Sequence, residues 1–337
     1  MRLSDFDYLL PPERIAQTPV EPRDSARLLV DHGSAPADHV HVNDLPDQLR
    51  DGDVLVVNDS RVIPARLRLH RMSGGAAEVL LLEPRDADRR VWEAMVRPSR
   101  KLRLGEVLLA AGDRPLVQIG VRLPAGDTTE ITVLGDGDPL QTLAAYGEMP
   151  LPPYITTALE QPDRYQTVYA AEPGSAAAPT AGLHFTPALM VELEGRGVQT
   201  ARVELVVGLD TFKPMSADDP RDHAIHSERY RVPAEVMASC ATARRVIAVG
   251  TTSVRALESA AALGQLEGRT RLFIHRPYDW QVVDLMMTNF HLPRTTLLLM
   301  IDAFIGPRWR RLYEEALALD YRFLSFGDAM LLDRRAA

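Results

Sequence analysis

The sequence predicts an α/β protein: a mainly parallel sheet flanked by helices, with an inserted all-β domain. Three observations predict it. From about residue 150 onward, apolar strand-like runs alternate with helical patterns, the order that builds parallel sheets. Between 61 and 150, short runs recur roughly every ten residues between Gly, Pro and Asp turns, the pattern of a barrel or sandwich. Proline marks both edges of that insert, at Pro64 and in Met149-Pro150-Leu151-Pro152-Pro153. The expected organisation is a discontinuous α/β domain from 1–60 and 151–337 around an all-β domain at 61–150.

The elements follow in order. Strands are expected at 27–30 and at 54–57, the latter an apolar run opening from Asp51-Gly52-Asp53 and ending in the polar cluster Asn58-Asp59-Ser60-Arg61. Ligands of open α/β sheets gather at such strand ends. The strands of the inserted domain are placed at 66–71, 78–82, 91–96, 106–111, 116–123 and 130–134, followed by a short helix at 139–146. A strand is expected at 166–169, then a loop of small residues, then a helix from Pro187 capped by Thr186. Beyond it come a strand at 198–207, a helix at 233–245, a strand at 246–249 and a helix at 252–263. Strands at 272–274 and 282–283 and helices at 295–304 and 308–319 complete the series.

The totals bound the class. The chain has 337 residues, 46% hydrophobic and 25% charged, which is ordinary globular composition with room for two domains. No apolar run approaches the ~20 residues a membrane helix needs, and the N-terminus lacks a signal-peptide apolar core. Cys240 is the only cysteine, so an intrachain disulfide and a cysteine-based metal site are excluded. A cytoplasmic, monomeric protein without metal or bound cofactor is expected. The net charge of −8 disfavours general coating of nucleic acid but allows a local basic face. Arg61, Arg66, Arg68 and Arg71 lie in a stretch without an acid, and Arg97, Arg100 and Lys101 in one containing only Glu93. The inserted domain can therefore present a face to phosphates, or these residues are simply solvated strand faces.

Four stretches carry candidate chemistry. In 165–186, YQTVYAAEPGSAAAPTAGLHFT, the small residues Thr180, Ala181 and Gly182 let a ligand approach backbone, and His184 adds an ionisable group. Residues 245–255, RVIAVGTTSVR, feed an apolar strand through Gly250, Thr251, Thr252 and Ser253 into a helix bearing Arg255; helix N-termini bind anions, though Thr252 is equally suited to be an N-cap. The segment DHAIHSE places His223 and His226 among carboxylates without a third metal ligand. In DLMMTNFHLP, Asn289 and His291 are polar groups between apolar flanks and must be satisfied or functional.

Taken together, these residues resemble the S-adenosylmethionine:tRNA ribosyltransferase-isomerase family of queuosine biosynthesis. The resemblance runs through DFDYLLPPERIAQTP, GDVLVVNDSRVIPARL, MPLPPYI, the 165–186 stretch, HAIHSERY, RVIAVGTTSVRALES, VVDLMMTNFHLP and YRFLSFGDAMLL, in family order across nearly the whole chain. It implies that the domain inserted at 61–150 is an antiparallel β-barrel. It also implies S-adenosylmethionine as a substrate, whose ribosyl part moves to 7-aminomethyl-7-deazaguanine at the tRNA wobble position. His184, His226 and His291 are then expected to share the acid/base work. Thr180, Ala181, Gly182, Gly250, Thr251, Thr252 and Ser253, with Arg255 and Asn289, are expected to hold the donor. Arg61, Arg66, Arg68, Arg97, Arg100 and Lys101 are expected to meet tRNA. The chain departs from the family pattern at Val206, where histidine is usual, at Asp210, where glycine is usual, in His275-Arg276-Pro277-Tyr278, and at Asp302. A non-tRNA acceptor and a non-catalytic tRNA-binding protein are the alternatives.

Overall fold

The computed structural model describes every residue except 125–127, 209–214, 216, 224, 226 and 337. In chain order the strands are β1 (Arg27–Val30), β2 (Asp38–His41), β3 (Val54–Asn58), β4 (Ser60–Val62), β5 (Arg66–Arg71), β6 (Ala76–Pro84), β7 (Val91–Arg97), β8 (Val107–Ala110), β9 (Arg114–Arg122), β10 (Thr129–Val133), β11 (Gly147–Glu148), β12 (Glu172–Ser175), β13 (Gln199–Leu205), β14 (Glu228–Arg231), β15 (Val246–Val249), β16 (Glu267–Thr270), β17 (Leu285–Asn289) and β18 (Ala329–Asp333). The helices are α1 (Leu45–Gln48), α2 (Pro139–Tyr146), α3 (Pro187–Gly195), α4 (Ala234–Thr242), α5 (Gly250–Leu263), α6 (Thr296–Ile305) and α7 (Trp309–Ala318).

One sheet of nine strands runs β16-β14-β13-β3-β15-β17-β18-β1-β2. Its centre, β13 to β17, is parallel. Strands β3, β15 and β17 are buried at every position, which is why β15 reads as an unbroken apolar run and β3 and β17 as apolar runs that turn polar only at their C-terminal ends. Antiparallel pairings lie outside this centre, and β1 beside β18 joins the two ends of the chain. No helix among the described residues is long and apolar enough to cross a membrane.

The second sheet, β11-β5-β6-β7-β10-β9-β8, closes on itself because β5 pairs with both β6 and β8. One edge of β5 is shared: Arg66 and Leu67 pair with β11, and His70 and Arg71 with β8. Alternate residues face inward, so Leu67, Leu69, Val79, Leu81, Trp92 and Ala94 fill the interior while charged neighbours point out.

Three strands expected from the sequence do not form. At 166–169 the Gln166 side chain brackets Val62, donating to its carbonyl (2.6 Å) and accepting from its amide (3.1 Å). The pairing falls instead to β12, parallel to β4. At 282–283 both backbone amides donate to the Glu258 carboxyl group, and at 272 the amide donates to Thr270 Oγ1 (3.0 Å). Side chains have taken the groups a ladder needs, and β16 and β17 form beside these segments.

Candidate active site

Helix α5 is the centre of the site. Residues 250–260 are all buried, yet Thr251, Thr252, Ser253, Arg255, Glu258 and Ser259 among them are polar. Buried polar groups must find partners within the protein or be kept for a ligand. Ser253 Oγ donates to Val249 O (2.8 Å), and Ser259 shares a 2.6 Å hydrogen bond with Thr270. Glu258 accepts from the amides of Gln281, Val282 and Val283, each at 3.0 Å, and from Tyr278 OH at 3.2 Å. Thr252 Oγ1 and Arg255 Nη2 have no hydrogen-bond partner among the described residues. Each faces a cleft.

Thr252 faces the first cleft. Its walls are Pro179, Thr180 and Ala181, the helix start Gly250-Thr251-Thr252, the end of β17 with Thr288, Asn289 and His291, and the hydroxyls of Tyr154, Thr295 and Ser325. The N-termini of α5 and α6 both reach it, so two sets of free amides and two positive dipole ends converge there. Gly250 starts α5 at φ +84, a left-handed conformation that glycine adopts without strain. Helix α5 therefore begins two residues before Thr252, which lies inside the first turn rather than at the cap. Leu324 lines the same cleft with φ +68, a strained backbone of the kind that clusters at functional sites.

Hydrogen bonds fix the polar groups. Asn289 Nδ2 donates to Asp328 O (3.4 Å), an acceptor only, which orients the amide. Asn289 Oδ1 then accepts from Thr180 Oγ1 (2.9 Å), and Nδ2 also donates to His184 Nε2 (3.2 Å), leaving the His184 proton on Nδ1. His291 Nε2 lies 3.1 Å from Thr288 Oγ1, and its amide donates to Tyr313 OH (3.1 Å). Burial lowers the pKa of His184 to about 4 and that of His291 to about 3, so both rings are neutral at neutral pH. A neutral ring can stand beside a cationic ligand and can accept a proton.

The same shifts predict acid sensitivity. In the unfolded chain both histidines take up protons near pH 6.5, whereas the folded chain resists until about pH 4 and 3. The unfolded state therefore gains protons first, and stability is lost as pH falls from about 6.5 towards those values. The melting temperature of the wild type should drop between pH 7.5 and 5, and His184→Gln should flatten that drop. Equal pH slopes in the two proteins would remove His184 as a source.

The structure brings Thr180, Ala181, Gly250, Thr251, Thr252, Asn289 and His291 together at this cleft. His184 stands behind Asn289 rather than on the wall. Gly182 is packed beneath it, where an added Cβ would lie 2.0 Å from Tyr169 OH. Ser253 serves its own helix. His226 and Asp210 lie outside the described residues. The cluster after β3 lines neither cleft: Asn58 donates to Leu205 O (3.0 Å) and accepts from Leu205 N (3.2 Å), locking β3 to β13. Tyr154 and Ser325, joined at 2.7 Å, do not stand out in the sequence as site residues, although both lie in the motifs MPLPPYI and YRFLSFGDAMLL.

Arg255 lines the second cleft, of about 1160 Å³, which lies between the barrel and the α5 side of the large sheet and meets the first at Leu297. Val206 also lines it. Two other departures from the family pattern answer each other: Arg276 pairs with buried Asp302 (2.5 and 3.0 Å), which also accepts from Trp309 Nε1 (3.0 Å), and neither residue lines either cleft. On the barrel, Arg66 and Arg68 are engaged by Glu78 (3.4 Å) and Glu148 (2.8 Å). Arg97, Arg100 and Lys101 are exposed at one end of β7, and Arg61 is exposed on β4.

Comparison with known proteins agrees along the whole chain. The profile of a family described as "Queuosine biosynthesis protein" matches residues 3–332. A Symbiobacterium thermophilum protein named S-adenosylmethionine:tRNA ribosyltransferase-isomerase is 50% identical, with 98% of this chain and 100% of that one aligned. A Thermus thermophilus protein of the same name is 48% identical over 98% of this chain and 99% of its own. The crystal structure of an S-adenosylmethionine tRNA ribosyltransferase from Thermotoga maritima superposes with a TM-score of 0.55 at 36% identity, covering 97% of this chain and 99% of that one. The chain belongs to the queuosine biosynthesis protein family, that of the S-adenosylmethionine:tRNA ribosyltransferase-isomerases.

Proposed function

We propose that this protein transfers and isomerises the ribosyl moiety of S-adenosylmethionine onto 7-aminomethyl-7-deazaguanine at the tRNA wobble position. Epoxyqueuosine-tRNA is formed, and adenine and methionine are released. The observation that carries the reading is a neutral, buried His291 on the wall of a cleft into which two helix N-termini point. The helix ends suit the donor's carboxylate. The sulfonium acidifies the adjacent 5′ C–H, and the neutral His291 ring tolerates that cation and is free to accept the proton, as a weaker base than a solvated imidazole because burial lowers its pKa to about 3. In this reading Thr180 and Asn289, joined to each other at 2.9 Å, hold the ribose, and His184 holds Asn289 in turn. S-adenosylmethionine enters as a substrate, and no further cofactor is required.

For tRNA, the exposed Arg61, Arg97, Arg100 and Lys101 are the phosphate contacts this reading favours, with Arg66 and Arg68 secondary because each already has an acid partner. The test is incubation with S-adenosylmethionine and tRNA with or without 7-aminomethyl-7-deazaguanine, scoring adenine and the modified nucleoside. Adenine is expected only with the modified tRNA; release with the free base but not the tRNA would overturn the acceptor. Charge reversal at Arg97, Arg100 and Lys101 should raise KM for tRNA and reduce the salt slope of binding by about one for each phosphate no longer neutralised. An unchanged slope would remove those residues from the interface.

A further inference from the structure

The second cleft, of about 1160 Å³, adjoins the first, of about 40 Å³, and is much the roomier of the two. Its charged lining is closed in pairs. Glu83 meets Arg269 (2.7 Å), Glu93 meets Arg85 (3.4 Å), and Glu228 meets Arg255. Histidine aside, Arg271 is the one charged lining residue outside such a pair among the described residues. A nearly neutral interior is a poor seat for phosphate, whose binding needs uncompensated cations. The remaining lining mixes apolar and aromatic residues, Leu82, Leu123, Ile274, Met300 and the Phe273 ring, with His223 and several serine and threonine residues.

Arg255 supplies the polar edge. Its Nε donates to Leu272 O (3.3 Å), its Nη1 to Glu228, and its buried Nη2 to nothing among the described residues. The guanidinium plane is thus held by two fixed partners, with one donor left over. Because Glu228 offsets the charge, that donor suits a neutral carbonyl better than an anion. Arg255 follows Thr251 by four residues, about 6 Å along the same helix face, and the two clefts meet at Leu297.

We propose that the second cleft holds the acceptor nucleobase turned out of the RNA, stacked on Phe273, with its six-position carbonyl oxygen (O6) accepting from Arg255 Nη2 and Glu228 acting as a positioning residue. Enzymes that react on a base draw it out of its stack and read its pairing edge in this manner. The assignment rests on the transferase reading and adds the acceptor's seat to it.

Adenine release is measured with S-adenosylmethionine and an anticodon-arm RNA carrying 7-aminomethyl-7-deazaguanine, or the same base without O6 (7-aminomethyl-7-deaza-2-aminopurine). In the wild type, loss of O6 should lower kcat/KM for the RNA about 10- to 100-fold, with KM for S-adenosylmethionine unchanged. In the double variant Arg255→Met/Glu228→Gln, which removes the guanidinium without leaving its carboxylate unpaired, the two RNAs should react equally. Phe273→Ala should raise KM for the RNA alone. A wild type indifferent to O6, discrimination that survives in the double variant, or a Phe273→Ala effect confined to KM for S-adenosylmethionine overturns the assignment. If the wild type releases no adenine with the complete RNA, the transferase reading fails and takes this assignment with it.

Discussion

Replacing His291 with glutamine should slow adenine release by about 10²- to 10⁴-fold, the range of a general acid or base. Affinity for S-adenosylmethionine should change far less, because the helix N-termini and the Thr180–Asn289 pair remain. His184→Gln should act differently: it removes the acceptor behind Asn289, so its effect should appear first in KM for the donor. With the His291 pKa lowered to about 3 by burial, its ionisation should leave no limb in the pH–rate profile between pH 5 and 8. Single-turnover adenine release across that range checks both points. A near-normal rate in His291→Gln would place the proton transfer elsewhere.

Glu258→Ala should lower the unfolding free energy by about 3–5 kcal/mol, measured by urea denaturation. Glu258 is fully buried, and removing its carboxyl group orphans three backbone amides and the Tyr278 hydroxyl together. Glu258→Gln should cost less, about 1–3 kcal/mol, since one oxygen still accepts from Val282 and Val283 while the new NH2 opposes the Gln281 amide. The effect should reach the site, because 281–283 leads into β17, which carries Thr288 and Asn289. Both variants within 1 kcal/mol of the wild type would show that this network is dispensable.

Much of this protein was legible in its sequence, and for identifiable reasons. The barrel strands announced themselves because a closed sheet with one filled face imposes alternation, as in Arg66-Leu67-Arg68-Leu69. The strands β3 and β15 were legible as continuous apolar runs because helices and neighbouring strands cover both faces. Thr186 was identifiable as the cap of α3 because that device is local: its hydroxyl accepts from Leu189 N three residues on (3.1 Å). The motif residues that line the first cleft were named through the family resemblance, since the residue types alone suit a plain connection, an N-cap or a structural histidine equally well, and Gly182, His184 and Ser253, named with them, serve the fold.

What only the tertiary structure decided is which of those polar groups are spent. Ser253, Arg255 and Glu258 look alike in the sequence as polar residues on one helix. Ser253 closes on its own turn, and Glu258 closes on a segment more than twenty residues away. Arg255 closes on Glu228 and Leu272 with a donor left over. A one-dimensional pattern records that a residue can donate or accept, whereas its partner is set by which segments the sheet order brings alongside. The same reason removed the strand at 282–283, whose amides were taken by Glu258 on α5, whereas at 272 the amide was taken locally by Thr270. Chain order and local chemistry determined the elements and the family; long-range packing decided which buried groups hold the fold together and which remain for a ligand.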